Sequence, residues 1–121
     1  MGRKALVVDD SNSMRQMVSF TLQQAGFETV EGANGVEGLQ RLAEGSVDLV
    51  ITDLNMPEMD GISFIKQLRT QAQFKFTPVL MLTTETQDEK KSAGRSAGAT
   101  GWITKPFNPE RLLQVIKKVL P

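Results

Sequence analysis

Four times along the chain a short, unbroken apolar run stops at a polar side chain. Ala5-Leu6-Val7-Val8 ends at Asp9-Asp10, Leu49-Val50-Ile51-Thr52 at Asp53, Pro78-Val79-Leu80-Met81-Leu82 at Thr83-Thr84, and Gly101-Trp102-Ile103-Thr104 at Lys105. An apolar run without alternation is the mark of a strand buried on both faces, which needs a helical layer on each side. Phe27 to Glu31 alternates weakly and predicts one further strand.

The stretches between supply the helices. Ser13-Met14-Arg15-Gln16 fits a capping box, with Ser at the cap and Gln three residues on. Met14, Met17, Val18, Leu22 and Ala25 follow at helical spacing, and Gly26 ends the helix. Asn34-Gly35-Val36-Glu37 opens a second helix carrying Leu39, Leu42 and Ala43, closed by Gly45. A loop, Met56-Pro57-Glu58-Met59-Asp60-Gly61, leads to a third marked by Ile62, Phe64, Ile65 and Leu68. Thr86-Gln87-Asp88-Glu89 reads as another capping box. It opens a polar fourth helix with Ala93 and Ala97 as its main apolar anchors, and with Gly94, which costs roughly 1 kcal/mol against Ala. Asn108-Pro109 caps a last helix whose Leu112, Leu113, Ile116, Val119 and Leu120 face inward. Met14, Met17 and Met81 read as core packing. The pattern predicts an α/β fold of five βα units around a parallel sheet, in one domain over 1–121.

Composition narrows the chemistry. Lys+Arg and Asp+Glu are both 14, so no basic excess points to nucleic acid. There is no cysteine, hence no disulfide or thiolate metal site, and no histidine, hence no Ser-His-Asp or Cys-His triad and no internal phosphohistidine. No apolar run reaches the length of a membrane span, and the N-terminus lacks a signal-peptide pattern, so a cytoplasmic protein is expected.

In open α/β sheets the ligand crevice lies beyond the carboxyl ends of the strands, where Asp9, Asp10, Asp53, Thr83 and Lys105 all fall. Carboxylates without histidine or thiolate make a hard oxygen site suited to Mg²⁺. Three carboxylates and one lysine sum to −2, a charge that Mg²⁺ cancels. A carboxylate so placed can attack phosphorus to form an aspartyl phosphate. Taken singly, each of these residues is more often a loop, surface or strand-forming residue; together, at the ends of four strands, they favour one phosphoryl site.

Asp9-Asp10, Asp53 followed by Met56-Pro57 and Asp60-Gly61, Thr83, and Lys105-Pro106-Phe107 resemble the signature of the response-regulator receiver family, over the whole chain. Asp10-Ser11-Asn12-Ser13-Met14-Arg15 and Ala97-Gly98-Ala99-Thr100-Gly101-Trp102 carry a closer likeness to single-domain chemotaxis regulators of the CheY type. The resemblance implies a flavodoxin-like, doubly wound (βα)5 fold with strand order 2-1-3-4-5. It implies that Asp53 is the phosphoacceptor and that Asp9, Asp10, Asp53 and the backbone carbonyl of Asn55 hold Mg²⁺. Thr83 and Lys105 would bind phosphoryl oxygens, and the Lys105-Pro106 bond is often cis in the family. Asn55 and Glu85 match positions that tune dephosphorylation. Trp102 stands at the aromatic switch position, where the family usually has Tyr or Phe, and Thr84 replaces a frequent small residue.

The function so implied is a phosphorelay switch that catalyses only its own phosphorylation and dephosphorylation. A CheA-like histidine kinase would donate to Asp53. The face formed by the fourth helix, fifth strand and fifth helix would then engage an output protein, such as a flagellar motor switch component, with a phosphatase as a further partner. A monomer is expected, with no nucleic acid or membrane partner. The alternatives are a phosphate sink without output, a small Mg²⁺-dependent phosphohydrolase and a flavodoxin-like cofactor binder. Asn at position 55 and the lack of a cap insertion weigh against the hydrolase, and the acidic crevice against a phosphate-bearing flavin.

Overall fold

Strands that are apolar on both faces build two cores, one on each side of a single sheet. A computed structural model describes residues 3–84 and 88–120. The elements are β1 (Lys4–Val8), α1 (Asn12–Gln24), β2 (Glu28–Gly32), α2 (Gly35–Ala43), β3 (Leu49–Thr52), α3 (Gly61–Arg69), a 3-10 turn (Ala72–Phe74), β4 (Val79–Thr83), α4 (Asp88–Ala97), β5 (Gly101–Thr104) and α5 (Pro109–Val119). All pairings are parallel and the strand order is β2-β1-β3-β4-β5, the flavodoxin-like order that the resemblance implied.

Alternate residues along each strand feed opposite cores. Leu6, Val8, Val50, Val79 and Met81 pack with Leu42 of α2, Phe64, Ile65 and Leu68 of α3, and Ala97 of α4. Ala5, Val7, Leu49, Ile51, Leu80, Leu82 and Ile103 pack with Val18 and Leu22 of α1 and Leu112 and Ile116 of α5. Every residue of β3 and β4 is buried, so these two strands form the rigid centre from which Asp53 and Thr83 project.

Several helix ends form as their sequences predict. The Asn34 side chain accepts from Glu37 N–H at 2.9 Å, and Glu37 reaches back to accept from Ala33 N–H at 2.9 Å. Asn108 caps α5 by accepting from Glu110 and Arg111 N–H, with Pro109 in the first helical turn. Gly26, at φ +95°, follows the α1 C-cap in the left-handed conformation that glycine tolerates.

Two expectations about α1 are corrected. Its N-cap is Ser11, whose Oγ accepts from Met14 N–H at 3.2 Å, so the Ser13–Gln16 capping box does not form. The helix starts earlier because Asp9 Oδ1 accepts from Ser11 N–H at 2.9 Å and sets Ser11 as the capping residue. Met17 is not core: it is half exposed, beside Phe20, while Val18 and Leu22 carry the buried stripe. Met81 is fully buried and Met14 partly so. The Thr86–Glu89 capping box rests on residues 86 and 87, outside the described residues.

The stretch between α3 and β4, unassigned from sequence, is held by a buried Phe74 and by Arg69. The guanidinium donates to the carbonyls of Phe74, Thr77 and Gly98 and so joins the 3-10 turn to the end of α4. Among the described residues, no helix is long and apolar enough to cross a membrane.

Candidate functional site

Because β1 and β3 are adjacent and in register, with Val8 opposite Thr52, the residues that follow them share one rim of the sheet. Asp9 and Asp53 are both buried there, and Asp10 is exposed beside them. One carboxylate oxygen from each of Asp9, Asp10 and Asp53 lies within 4.8 Å of the others. Lys105 arrives from the end of β5. Its Nζ is 3.0 Å from Asp9 Oδ2 and 3.5 Å from Asp53 Oδ1, with 13% of the side chain exposed. The Lys105–Pro106 peptide bond is cis.

The backbone orients these groups. Leu54 N–H donates to Asp53 Oδ1 at 2.8 Å, and Ser11 N–H donates to Asp9 Oδ1. Asp53 N–H donates to the Val8 carbonyl at 2.9 Å, tying the two strand ends together. Gly61 N–H donates to Leu54 O at 2.8 Å, and this contact demands glycine, since a Cβ on residue 61 would strike the carbonyl oxygen of Asp53. Between them the β3–α3 loop carries Glu58 at φ +68°, a left-handed conformation uncommon for a non-glycine residue. Asp60 caps α3 by accepting from Ser63 N–H.

Burial and charge perturb the centre of the cluster. The Asp53 carboxyl is pushed from its usual 3.8 up to about 6, first by burial and next by the Asp9 carboxylate. Lys105 and the Leu54 N–H pull it back, and Asp10 adds a smaller upward push. Lys105 therefore offsets only part of the repulsion, and the remaining oxygen-rich negative site suits a hard divalent cation.

Thr83 ends β4, fully buried, and its carbonyl accepts from Lys105 N–H at 2.8 Å, which joins β4 to the lysine-bearing turn. Trp102 lies opposite Met81 on β5 and packs against the α2–α3–α4 core. Asn55 is exposed in the β3–α3 loop and Thr84 is exposed after β4. Glu85 lies outside the described residues. Sequence reasoning missed Arg15, whose Nη1 donates to the Asp9 carbonyl at 2.7 Å and whose Nε meets Glu31 Oε1 at 3.0 Å. Its signal was present: a single cation at the start of α1, one turn beyond an acidic pair.

The family model for the response regulator receiver domain matches residues 5–117. The chain belongs to the response regulator receiver family. Chemotaxis protein CheY1 of Helicobacter pylori is 40% identical over 119 residues, which are 97% of this chain and 96% of that protein. The crystal structure of chemotaxis protein CheY4 of Vibrio cholerae superposes with a TM-score of 0.96 at 54% identity, covering 99% of this chain and 100% of that one. A receiver domain of the sensor histidine kinase PA1611 of Pseudomonas aeruginosa, described with a magnesium ion coordinated in its active site cleft, shares the fold. Its TM-score is 0.89 at 21% identity, over 98% of this chain and 97% of that one. This receiver domain is thus a part of two-component signalling rather than a classical enzyme.

Proposed function

We propose that this receiver domain accepts a phosphoryl group on Asp53 from the phosphohistidine of a partner kinase, in a Mg²⁺-dependent reaction, and thereby controls a protein partner in chemotaxis. The observation that carries the reading is the meeting of Asp9, Asp10 and Asp53 within 4.8 Å, with the Lys105 ammonium 3.5 Å from Asp53.

Asp9, Asp10, Asp53 and the Asn55 carbonyl would hold Mg²⁺, which suits their hard oxygen donors and the net charge of −2. Bound there, the ion would supply charge neutralisation at the transferring phosphoryl group. Asp53 provides the attacking oxygen. A bond forms from that oxygen to phosphorus, the phosphorus–nitrogen bond of the donor breaks, and the imidazole leaves with the bonding pair and is protonated by solvent. Lys105 places a fixed positive charge on the phosphoryl side of the carboxylate, and Thr83 offers a hydroxyl from the adjacent strand end. Such preorganised charge does most of the work in phosphoryl transfer. Asn55 and Glu85, flanking the crevice in sequence, tune hydrolysis of the aspartyl phosphate.

The likeness to two chemotaxis proteins favours a CheA-like kinase as donor and a flagellar motor switch component as output, with a phosphatase resetting the switch. The α4–β5–α5 face carries the output, the domain acts as a monomer in the cytoplasm, and neither nucleic acid nor membrane is a partner. Partner capture only in the phosphorylated state distinguishes this switch from a phosphate sink.

The test is mass spectrometry after incubation with Mg²⁺ and acetyl phosphate. Wild type is expected to gain one phosphoryl group, and neither Asp53→Asn nor wild type in EDTA to gain any. Wild type that stays unmodified overturns the proposal.

A further inference from the structure

Of the three carboxylates, Asp10 alone is exposed, and among the described residues no side-chain partner fixes it. Asp9 is gripped by Ser11 N–H and Lys105, and Asp53 by Leu54 N–H and Lys105. What orients Asp10 is therefore its backbone, and one side chain holds that backbone. Arg15 donates through Nη1 to the carbonyl of Asp9, the oxygen of the peptide group that joins Asp9 to Asp10. A planar trans peptide held at its oxygen has its nitrogen end held as well, so this bond sets where Asp10 begins.

The guanidinium is itself anchored. Its Nε meets Glu31 on β2, and its Nη2 donates to Asn12 Oδ1 in the first turn of α1. Glu31 sits opposite Val7 in the β1–β2 register, so the anchor belongs to the sheet. The Arg15 side chain is 15% exposed, so most of its charge is removed from water. A fork of donors reaching three elements at once is a task for arginine and not for lysine, whose single ammonium lacks the planar spread.

We infer that Arg15 is a positioning residue for the metal site: it fixes the Asp9–Asp10 peptide and so aims the Asp10 carboxylate. The inference rests on the proposed Mg²⁺ site and adds to it a residue that touches neither ion nor phosphoryl group. Groups that orient metal ligands from outside the coordination shell typically change affinity 10- to 100-fold when removed. Because Asp10 is one ligand of several, Arg15→Lys is expected to weaken Mg²⁺ about tenfold, at the low end of that range.

Isothermal titration with MgCl₂, at fixed pH and ionic strength, reads this directly, paired with melting curves in EDTA and in saturating Mg²⁺. Arg15→Lys and Arg15→Met should both show the weakened half-saturation, since what matters is the fork and not the charge. Phosphorylation by acetyl phosphate should recover toward the wild-type rate at high Mg²⁺. A merely structural arginine would lower the melting temperature in EDTA and leave the Mg²⁺ half-saturation unchanged, and that result overturns the inference. So does Arg15→Lys binding like wild type while Arg15→Met is weakened, which would assign the effect to charge. Should both variants fail to fold, Glu31→Ala decides, because it removes the acceptor of Arg15 Nε and leaves the arginine in place: weaker Mg²⁺ binding sustains the inference and unchanged binding overturns it. Wild type that binds no Mg²⁺ would instead remove the metal site on which the inference rests.

Discussion

At the acidic crevice, position is held by directed bonds; along α4 and β5 it is held by shape. Asp9, Asp53 and Lys105 are each tied to backbone or to one another at 2.8–3.5 Å. On the other face, the indole of Trp102 slides under α4 at Gly94, where an added Cβ would lie 3.0 Å from the indole Cζ3 and 2.8 Å from Met81 Sδ. The indole Nε1 is buried there without a hydrogen-bond partner among the described residues, beside a cavity of about 160 Å³ lined in part by Lys91, Arg95 and Thr100. Directed bonds weaken steeply with angle and distance, whereas packing contacts are non-directional and can re-form in a second discrete arrangement. A module that must hold chemistry still while its surface responds is well served by that division.

The largest expected effect tests the rigid side. Gly61→Ala places a methyl against the Asp53 carbonyl, a backbone atom that cannot swing aside. Either the start of α3 moves or β3 does, and urea unfolding should show a loss of about 3 kcal/mol, the upper part of the overpacking range. A variant as stable as wild type would mean that the crevice is softer than its bonds suggest.

Next comes the charge stored at Asp53. With its carboxyl held at about 6 rather than 3.8, the folded state binds more protons than the unfolded state between those values. The group's contribution to stability is thus full below pH 3.8 and lost as pH rises through about 6. Without Mg²⁺, Asp53→Asn should stabilise the protein at pH 7 by roughly 2–3 kcal/mol, with the gain shrinking toward pH 4. Mg²⁺ should narrow the gap at pH 7 by stabilising wild type. Denaturant curves in EDTA at both pH values check this, and a pH-independent difference would contradict it.

Much of this was legible because strands buried on both faces leave an unambiguous trace. The runs ending at Asp9, Asp53, Thr83 and Lys105 became β1, β3, β4 and β5 within a residue or so. Parallel pairing gathered their endpoints at one rim, where Lys105 meets Asp9 and Asp53 through its ammonium and Thr83 through its backbone. The strand order was implied by family likeness, not by the runs themselves. Local hydrogen-bond competition was harder to read. Ser11 and Ser13 are both good caps, and only the Asp9 side chain, folded back onto Ser11 N–H, chooses between them. Met17 fits a helical stripe by spacing, yet α1 needs only Val18 and Leu22 against the sheet, so Met17 faces outward. Arg15 and Arg69 act by reaching carbonyls that lie outside their own helices, which neither periodicity nor propensity encodes.

The smallest effect probes the shape-held side. From sequence, Gly94 is a helix defect worth roughly 1 kcal/mol, and Trp102 an oversized ring at a position where an extra ring invites overpacking. The structure joins them, since the missing Cβ of one is the space the other fills. Gly94→Ala in wild type should therefore destabilise by about 1 kcal/mol, because crowding Met81 Sδ and the indole together outweighs the gain in helix propensity. In a Trp102→Phe background the smaller ring removes the indole contact and gives Met81 Sδ, the end of a flexible side chain, room to yield, so the same change should become neutral or stabilising. The sign reversal is the signature, and a double-mutant cycle by urea unfolding measures it with an interaction energy of about 1–2 kcal/mol. Additive changes would mean that α4 and β5 do not share this contact in solution, and the division between a bonded crevice and a packed face would lose its second half.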